Sequence, residues 1–154
     1  MKDLKKRPKN EMNRLLVFAQ FLLLFLLFLN ANLNINISHI IFVLSSLIIA
    51  ALMALWTFSH NHIGNFNIVP DIKEECCLIT SGPYKYIRHP MYFEVLMIGL
   101  GSFAWFAAYK IVIFILLVVV LYAKATIEER LWCKRDAAYQ RYKKQTKMFI
   151  PFVI

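Results

Sequence analysis

Glycine and cysteine are scarce in this chain of 154 residues, with four of the first and three of the second. No Rossmann glycine fingerprint is present, which excludes a dinucleotide site of that type, although a membrane reductase would not require one. Cys76, Cys77 and Cys133 all fall on the side assigned below to the cytoplasm, where thiols stay reduced, so no disulfide is expected. His60-x-His62 and Cys76-Cys77 can be drawn as a four-ligand metal site. Their spacing matches no compact zinc module and adjacent cysteines rarely chelate one ion, so no metal is expected. Acids are few as well: nine Asp and Glu stand against eighteen Lys and Arg, a formal net charge of +9. Such an excess would suit nucleic acid, but no recognition motif accompanies it. Membrane topology and anionic lipid headgroups account for it, and no nucleic-acid partner is expected.

Apolar residues are abundant instead. They make up 60% of the chain, including thirteen Phe, at a mean hydropathy of +0.56, whereas soluble domains run at about 45–50%. The excess lies in long runs, as a bilayer protein requires. Leu15 to Leu29 has one polar interruption, Gln20, and follows a basic segment. No small-x-small cleavage site follows it, so it reads as an uncleaved first span. Ile40 to Phe58 is a second span whose Ser45, Ser46 and Thr57 can bond back to helical carbonyls. A polar loop of about thirty residues follows His60. Met91 to Ala108 and Ile111 to Ala123, separated only by Tyr109-Lys110, then predict two helices in a tight hairpin. The second of these is short for a span and must tilt little or stay helical through Lys124. Lys124 to Lys147 is basic with an imperfect apolar face, the pattern of an interfacial helix.

The expected fold is therefore an all-α integral membrane protein of about four transmembrane helices, the last two a hairpin, with a C-terminal interfacial helix. Residues 1–60 hold the basic N-terminus and two spans, and residues 61–154 the loop, hairpin and C-terminal segment, together one structural domain. Seventeen of the eighteen Lys and Arg fall on one side of this arrangement, and Lys110 falls alone on the other. That split predicts both termini in the cytoplasm, in a cell inner membrane or its equivalent, with the Asn30 to His39 loop outside. Asn36-Ile37-Ser38 matches a glycosylation sequon, which so close to the membrane reads as chance.

Chemistry concentrates at both ends of the hairpin. Gly82-Pro83 is a turn signal, and Pro90 suits the first turn of a helix because it has no N–H to leave orphaned. Arg88 and His89 then stand beside a helix N-terminus, a constellation that attracts a carboxylate or phosphate. The same residues also fit a plain interfacial role, with Arg snorkelling and Tyr belting the membrane. The hairpin returns Glu128 and Glu129 to this face, where Glu128 can instead pair with Lys124 one turn away. An anion pocket beside an acidic group fits a zwitterionic, amino-acid-like ligand.

The series Leu78-Ile79-Thr80-Ser81-Gly82-Pro83-Tyr84, Arg88-His89-Pro90-Met91-Tyr92, Glu128-Glu129, Tyr139 with Tyr142, and Ile150-Pro151-Phe152 resembles the isoprenylcysteine carboxyl methyltransferases and their phospholipid methyltransferase relatives. The resemblance covers Leu78 to Phe152, and the first two spans match only in being spans. It implies an integral membrane enzyme that uses S-adenosylmethionine, held at the cytoplasmic face by Leu78, Ile79, Tyr84, Arg88, His89, Pro90, Met91, Tyr92, Glu128 and Glu129. The C-terminal segment would help cover that cofactor. Lys124 stands where the family has an arginine assigned to substrate, but it lacks the planar fork. Glu94 replaces a small residue, Arg135-Asp136 replaces Phe-Gly, and Gln145 to Met148 lack Arg-x-Pro-Arg. The implied acceptor is a membrane lipid or a lipophilic, lipid-like or prenylated small molecule methylated on a carboxylate oxygen, and no catalytic residue is assigned. An amine acceptor would also have to lose a proton, to His89 or a glutamate. A noncatalytic four-span scaffold or transporter and an NADPH-dependent membrane reductase of similar architecture remain the rival readings.

Overall fold

The structure, a computed structural model, describes residues 7–29, 36–61, 63–72, 76–105 and 107–152. Five α-helices organise them: α1 (Arg7–Phe28), α2 (Ile37–His60), α3 (Pro90–Gly101), α4 (Ala108–Arg135) and α5 (Ala138–Gln145). No strand forms among the described residues beyond an isolated parallel bridge between Ile87 and Lys147. Three helices are long and apolar enough to cross a membrane, with candidate spans Glu11–Phe28, Ile37–His60 and Ala108–Arg135. The described residues thus form an all-helical fold with three helices suited to a membrane.

Side-chain chemistry explains where these helices start and stop. α2 begins three residues before the expected Ile40 because Asn36 caps it, its Oδ1 accepting from His39 N at 2.9 Å. The sequon asparagine is therefore a helix cap, while residues 30–35 of the expected outer loop lie outside the described residues. Ser45, Ser46 and Thr57 donate to Phe42 O, Val43 O and Met53 O at 2.8–2.9 Å, which satisfies their hydroxyls within the helix.

α3 departs from expectation. It ends at Gly101 instead of running to Ala108, and a 3₁₀ turn, Ser102–Trp105, follows. Gly101 lies so close to α2 that a Cβ would come within 2.6 Å of Ser46 Oγ. Lys110 then reaches back to donate from Nζ to Ser102 O at 2.9 Å. This lone cation serves the carbonyl end of α3, where the helix dipole favours positive charge.

α4, in contrast, outruns its expected end by twelve residues and reaches Arg135. At 1.5 Å per residue its 28 residues span about 42 Å, more than a bilayer core of about 30 Å. The expected interfacial helix is correspondingly cut short. The chain breaks at Asp136, whose Oδ1 accepts from Ala138 N at 2.8 Å, and only eight residues of α5 remain, burying Tyr139 and Tyr142.

α3 packs chiefly along α2, and α4 chiefly along α1. Leu27 of α1, Tyr92 and Leu96 of α3, Leu117, Leu121 and Ala125 of α4, and Phe149 from the C-terminal segment close one common core. The long apolar faces of α1, α2 and α4 outside that core stay exposed, as expected where lipid replaces water.

Candidate functional site

A cleft opens between the loop after α2, the start of α3, the far end of α4 and α5. Gly82 opens the turn that leads into it. Its φ of +58° is left-handed, and a Cβ there would lie 2.4 Å from the His60 ring, so glycine is the residue that fits. The 3₁₀ turn Gly82–Lys85 that follows delivers Tyr84 to the cleft. Pro90 starts α3 and leaves His89 at the N-cap position.

The C-terminal segment fastens this corner. Arg88 N donates to Lys147 O at 2.8 Å, His89 N to Met148 O at 3.1 Å, and Lys147 N to Tyr86 O at 3.0 Å. The Arg88 guanidinium donates from Nε to Glu129 Oε1 at 2.6 Å and from Nη1 to Lys143 O at 3.1 Å and to Thr146 O. Lys143 Nζ meets the other oxygen of Glu129 at 2.6 Å. Glu129 is 2% exposed and does not line the cleft, so it clamps α4 to this corner.

His89 sits between two carboxylates, with Nδ1 3.3 Å from Glu128 Oε2 and Nε2 3.4 Å from Glu129 Oε1. The second contact lacks hydrogen-bond alignment, and Nε2 is buried with no hydrogen-bond partner. Burial lowers the pKa of the ring, but the Glu128 and Glu129 carboxylates beside it outweigh that effect and move it upward. The imidazole stacks on Tyr92, with ring centroids 5.3 Å apart, and Tyr92 Oη donates to Glu128 Oε1 at 2.5 Å. Both oxygens of Glu128 therefore point toward protein partners, while the carboxylate still lines the cleft.

Tyr84 is poised differently. Its Oη accepts from Asn61 Nδ2 at 2.8 Å, so its own proton is available to the cleft. Burial, opposed by that hydrogen bond, pushes the phenol pKa upward and keeps the proton on the oxygen. Asn65 donates to Asn61 Oδ1 at 2.9 Å and to Cys77 O at 3.0 Å, tying the loop to the same wall. On the opposite side Trp132 stacks on Tyr139 with centroids 5.9 Å apart, and Tyr142 Oη donates to Tyr84 O at 2.7 Å.

Of the residues expected to hold a cofactor, Leu78, Ile79, Tyr84, Arg88, His89, Pro90, Met91, Tyr92 and Glu128 all line the cleft. Lys124 does not. It is 1% exposed, and its Nζ donates to Gln20 Oε1 at 2.6 Å instead of pairing with Glu128. Sequence reasoning passed over Asn61, Asn65, Asn67, Asp71, Cys76 and Cys77, which supply the loop wall. The run of asparagines at 61, 65 and 67 was a legible signal of it. His62 lies outside the described residues. His60 packs its ring against Gly82.

Aromatic faces, a neutral phenol donor, a partnered carboxylate and a buried unpartnered imidazole nitrogen together suit a ligand carrying both a cation and hydrogen-bonding groups. Comparison with curated proteins and with solved structures gives no match. A family profile described as phospholipid methyltransferase matches residues 38–136. That match takes in α2, which the motif resemblance had left out, together with α3 and all of α4. On this match, over more than half its length, the chain belongs to the phospholipid methyltransferase family, a family of membrane methyltransferases.

Proposed function

We propose that the protein uses S-adenosylmethionine to methylate a lipophilic acceptor at the cytoplasmic face of a membrane. The observation that carries this reading is the convergence of Tyr84, His89, Tyr92 and Glu128 on one cleft inside the matched region. S-adenosylmethionine supplies a methyl group already activated on a sulfonium. The fit is supported by the aromatic walls, which favour a cation, and by Glu128, which can accept from an ammonium or hydroxyl. The buried His89 Nε2 and the Tyr84 proton offer polar contacts that the protein leaves open. Leu78 and Ile79 border the same space. Positioning of donor and acceptor would contribute most of the rate, since little acid–base chemistry is required.

The charge pattern favours both termini and the cleft in the cytoplasm. α3 and its 3₁₀ turn rise together by about 26 Å and run from the Glu128 end of α4 to its Lys110 end. We read that pair as a fourth, broken crossing antiparallel to α4, in one membrane domain whose core extends from Leu27 to Phe149.

The acceptor reading is a carboxylate methylated on oxygen. Glu128 is engaged by Tyr92 and His89, and Glu129 by Arg88 and Lys143. Among the described residues none of these partnered groups stands free to deprotonate an acceptor, and a carboxylate needs no such base. A second reading, N-methylation of a phospholipid amine, rests on the family description. The family match weighs against the scaffold and reductase alternatives. Incubating membranes with labelled S-adenosylmethionine and a lipid extract separates the two acceptors. A methyl ester releases labelled methanol in mild base, whereas an N-methyl product keeps its label.

A further inference from the structure

The most deeply buried ammonium next to the cleft belongs to Lys124, at the position where the resemblance implied a substrate contact but outside the lining of the cleft. Its side chain is enclosed between α1, α3 and α4, and its one hydrogen bond among the described residues goes to Gln20 Oε1 of α1 at 2.6 Å. Gln20 is itself buried and is the only polar residue in an otherwise apolar stretch of α1. The ammonium lies 5.0 Å from the centroid of the Tyr92 ring. The same ring stacks on His89 and donates its hydroxyl proton to Glu128. A cation buried among mostly apolar side chains at membrane depth is costly to keep and marks a functional position by default. A desolvated cation–π contact also holds an aromatic ring far more firmly than an exposed one.

We propose that Gln20 and Lys124 are positioning residues for the methyl-donor half of the cleft. Gln20 aims the Lys124 ammonium at the Tyr92 ring, and the ring so held keeps its hydroxyl on Glu128 and its face on His89. The pair touches neither donor nor acceptor. This inference rests on the methyltransferase reading and assigns α1, which lies outside the family match, a part in the cofactor site.

The test measures the Kd for labelled S-adenosylmethionine and the melting temperature of detergent-purified full-length protein for wild type, Gln20→Leu, Lys124→Met, the double variant Gln20→Leu/Lys124→Met, and Gln20→Leu in a Tyr92→Phe background. Each single variant is expected to weaken donor binding about tenfold, the scale of losing one charge-assisted hydrogen bond. The double variant should recover the melting temperature, because replacing a buried polar pair by apolar side chains is near neutral, while the tenfold loss of binding persists. In the Tyr92→Phe background Gln20→Leu should cost well under tenfold in further affinity, since the hydroxyl contact is gone and only the stacking of the ring on His89 is left to disturb. A double variant that binds the donor like wild type reduces the pair to packing and overturns the proposal. So does a Lys124→Met change that raises the acceptor KM alone. A wild type that binds no S-adenosylmethionine overturns the functional reading and this inference with it. Normal wild-type binding with unaffected variants overturns the inference alone.

Discussion

Arg88 and Glu129 meet at 2.6 Å with side chains 7% and 2% exposed, and this contact joins the start of α3, the far end of α4 and the C-terminal segment at one point. Lys143 completes the cluster from a half-exposed position. Removing one partner of a buried pair strands the other charge and costs about 3–5 kcal/mol, whereas an exposed ion pair is worth about 0–1 kcal/mol. Glu129→Ala should therefore lower the melting temperature far more than Lys143→Ala, in thermal scans of the detergent-solubilised protein. Equal effects would place the clamp elsewhere.

The His89 pKa is raised, and this sets a pH dependence of known sign. Its ion pairs with Glu128 and Glu129 contribute fully below the pKa of a free histidine, about 6.5, and are lost as pH rises through the higher folded value. The stability advantage of wild type over His89→Gln should be greatest in mildly acidic buffer and shrink steadily above about pH 6.5. Melting curves of both proteins across that range measure it. An advantage that grows with pH would mean that the ring is neutral in the fold.

Gly82 combines a left-handed φ of +58° with a His60 ring that a Cβ would meet at 2.4 Å. Gly82→Ala should cost about 1–2 kcal/mol from backbone conformation alone, and more from the clash. Because the same turn carries Tyr84, donor binding should weaken together with stability. An alanine variant that melts and binds like wild type would contradict this account of the turn.

The orientation can be tested at Ser38, which is exposed in the first turn of α2. In a background where Cys76, Cys77 and Cys133 are replaced by serine, Ser38→Cys should react with an impermeant thiol reagent added to intact cells. Protection in intact cells with labelling only after lysis would invert the topology.

Much of this molecule was legible in the sequence, and the rest was not for identifiable reasons. Hydropathy runs located the three long helices, because lipid imposes a simple rule on composition, but they missed the eight residues by which α1 precedes Leu15 and the twelve by which α4 passes Ala123. The start of α2 was misplaced because Asn36 reads as a sequon until its cap is visible. The early end of α3 depends on the approach of Gly101 to Ser46 and on the reach of Lys110, contacts that hydropathy does not encode. At the site, the turn, the helix start and the two glutamates were readable as motifs. The division of labour between Glu128 in the cleft and Glu129 in the clamp was not, since two adjacent acids look alike until their partners are known. The same holds for Gln20 and Lys124, which are 104 positions apart in sequence and joined by one hydrogen bond.

The central claim is that the cleft binds S-adenosylmethionine through Glu128 and its neighbours. Equilibrium binding of the radiolabelled compound to detergent-purified protein tests it most directly, with unlabelled S-adenosylmethionine and NADPH as competitors and Glu128→Ala alongside wild type. The account predicts saturable binding that S-adenosylmethionine displaces and NADPH does not, weakened roughly ten- to a hundredfold in Glu128→Ala. Binding of NADPH with none of S-adenosylmethionine, or equal binding by wild type and Glu128→Ala, would contradict it.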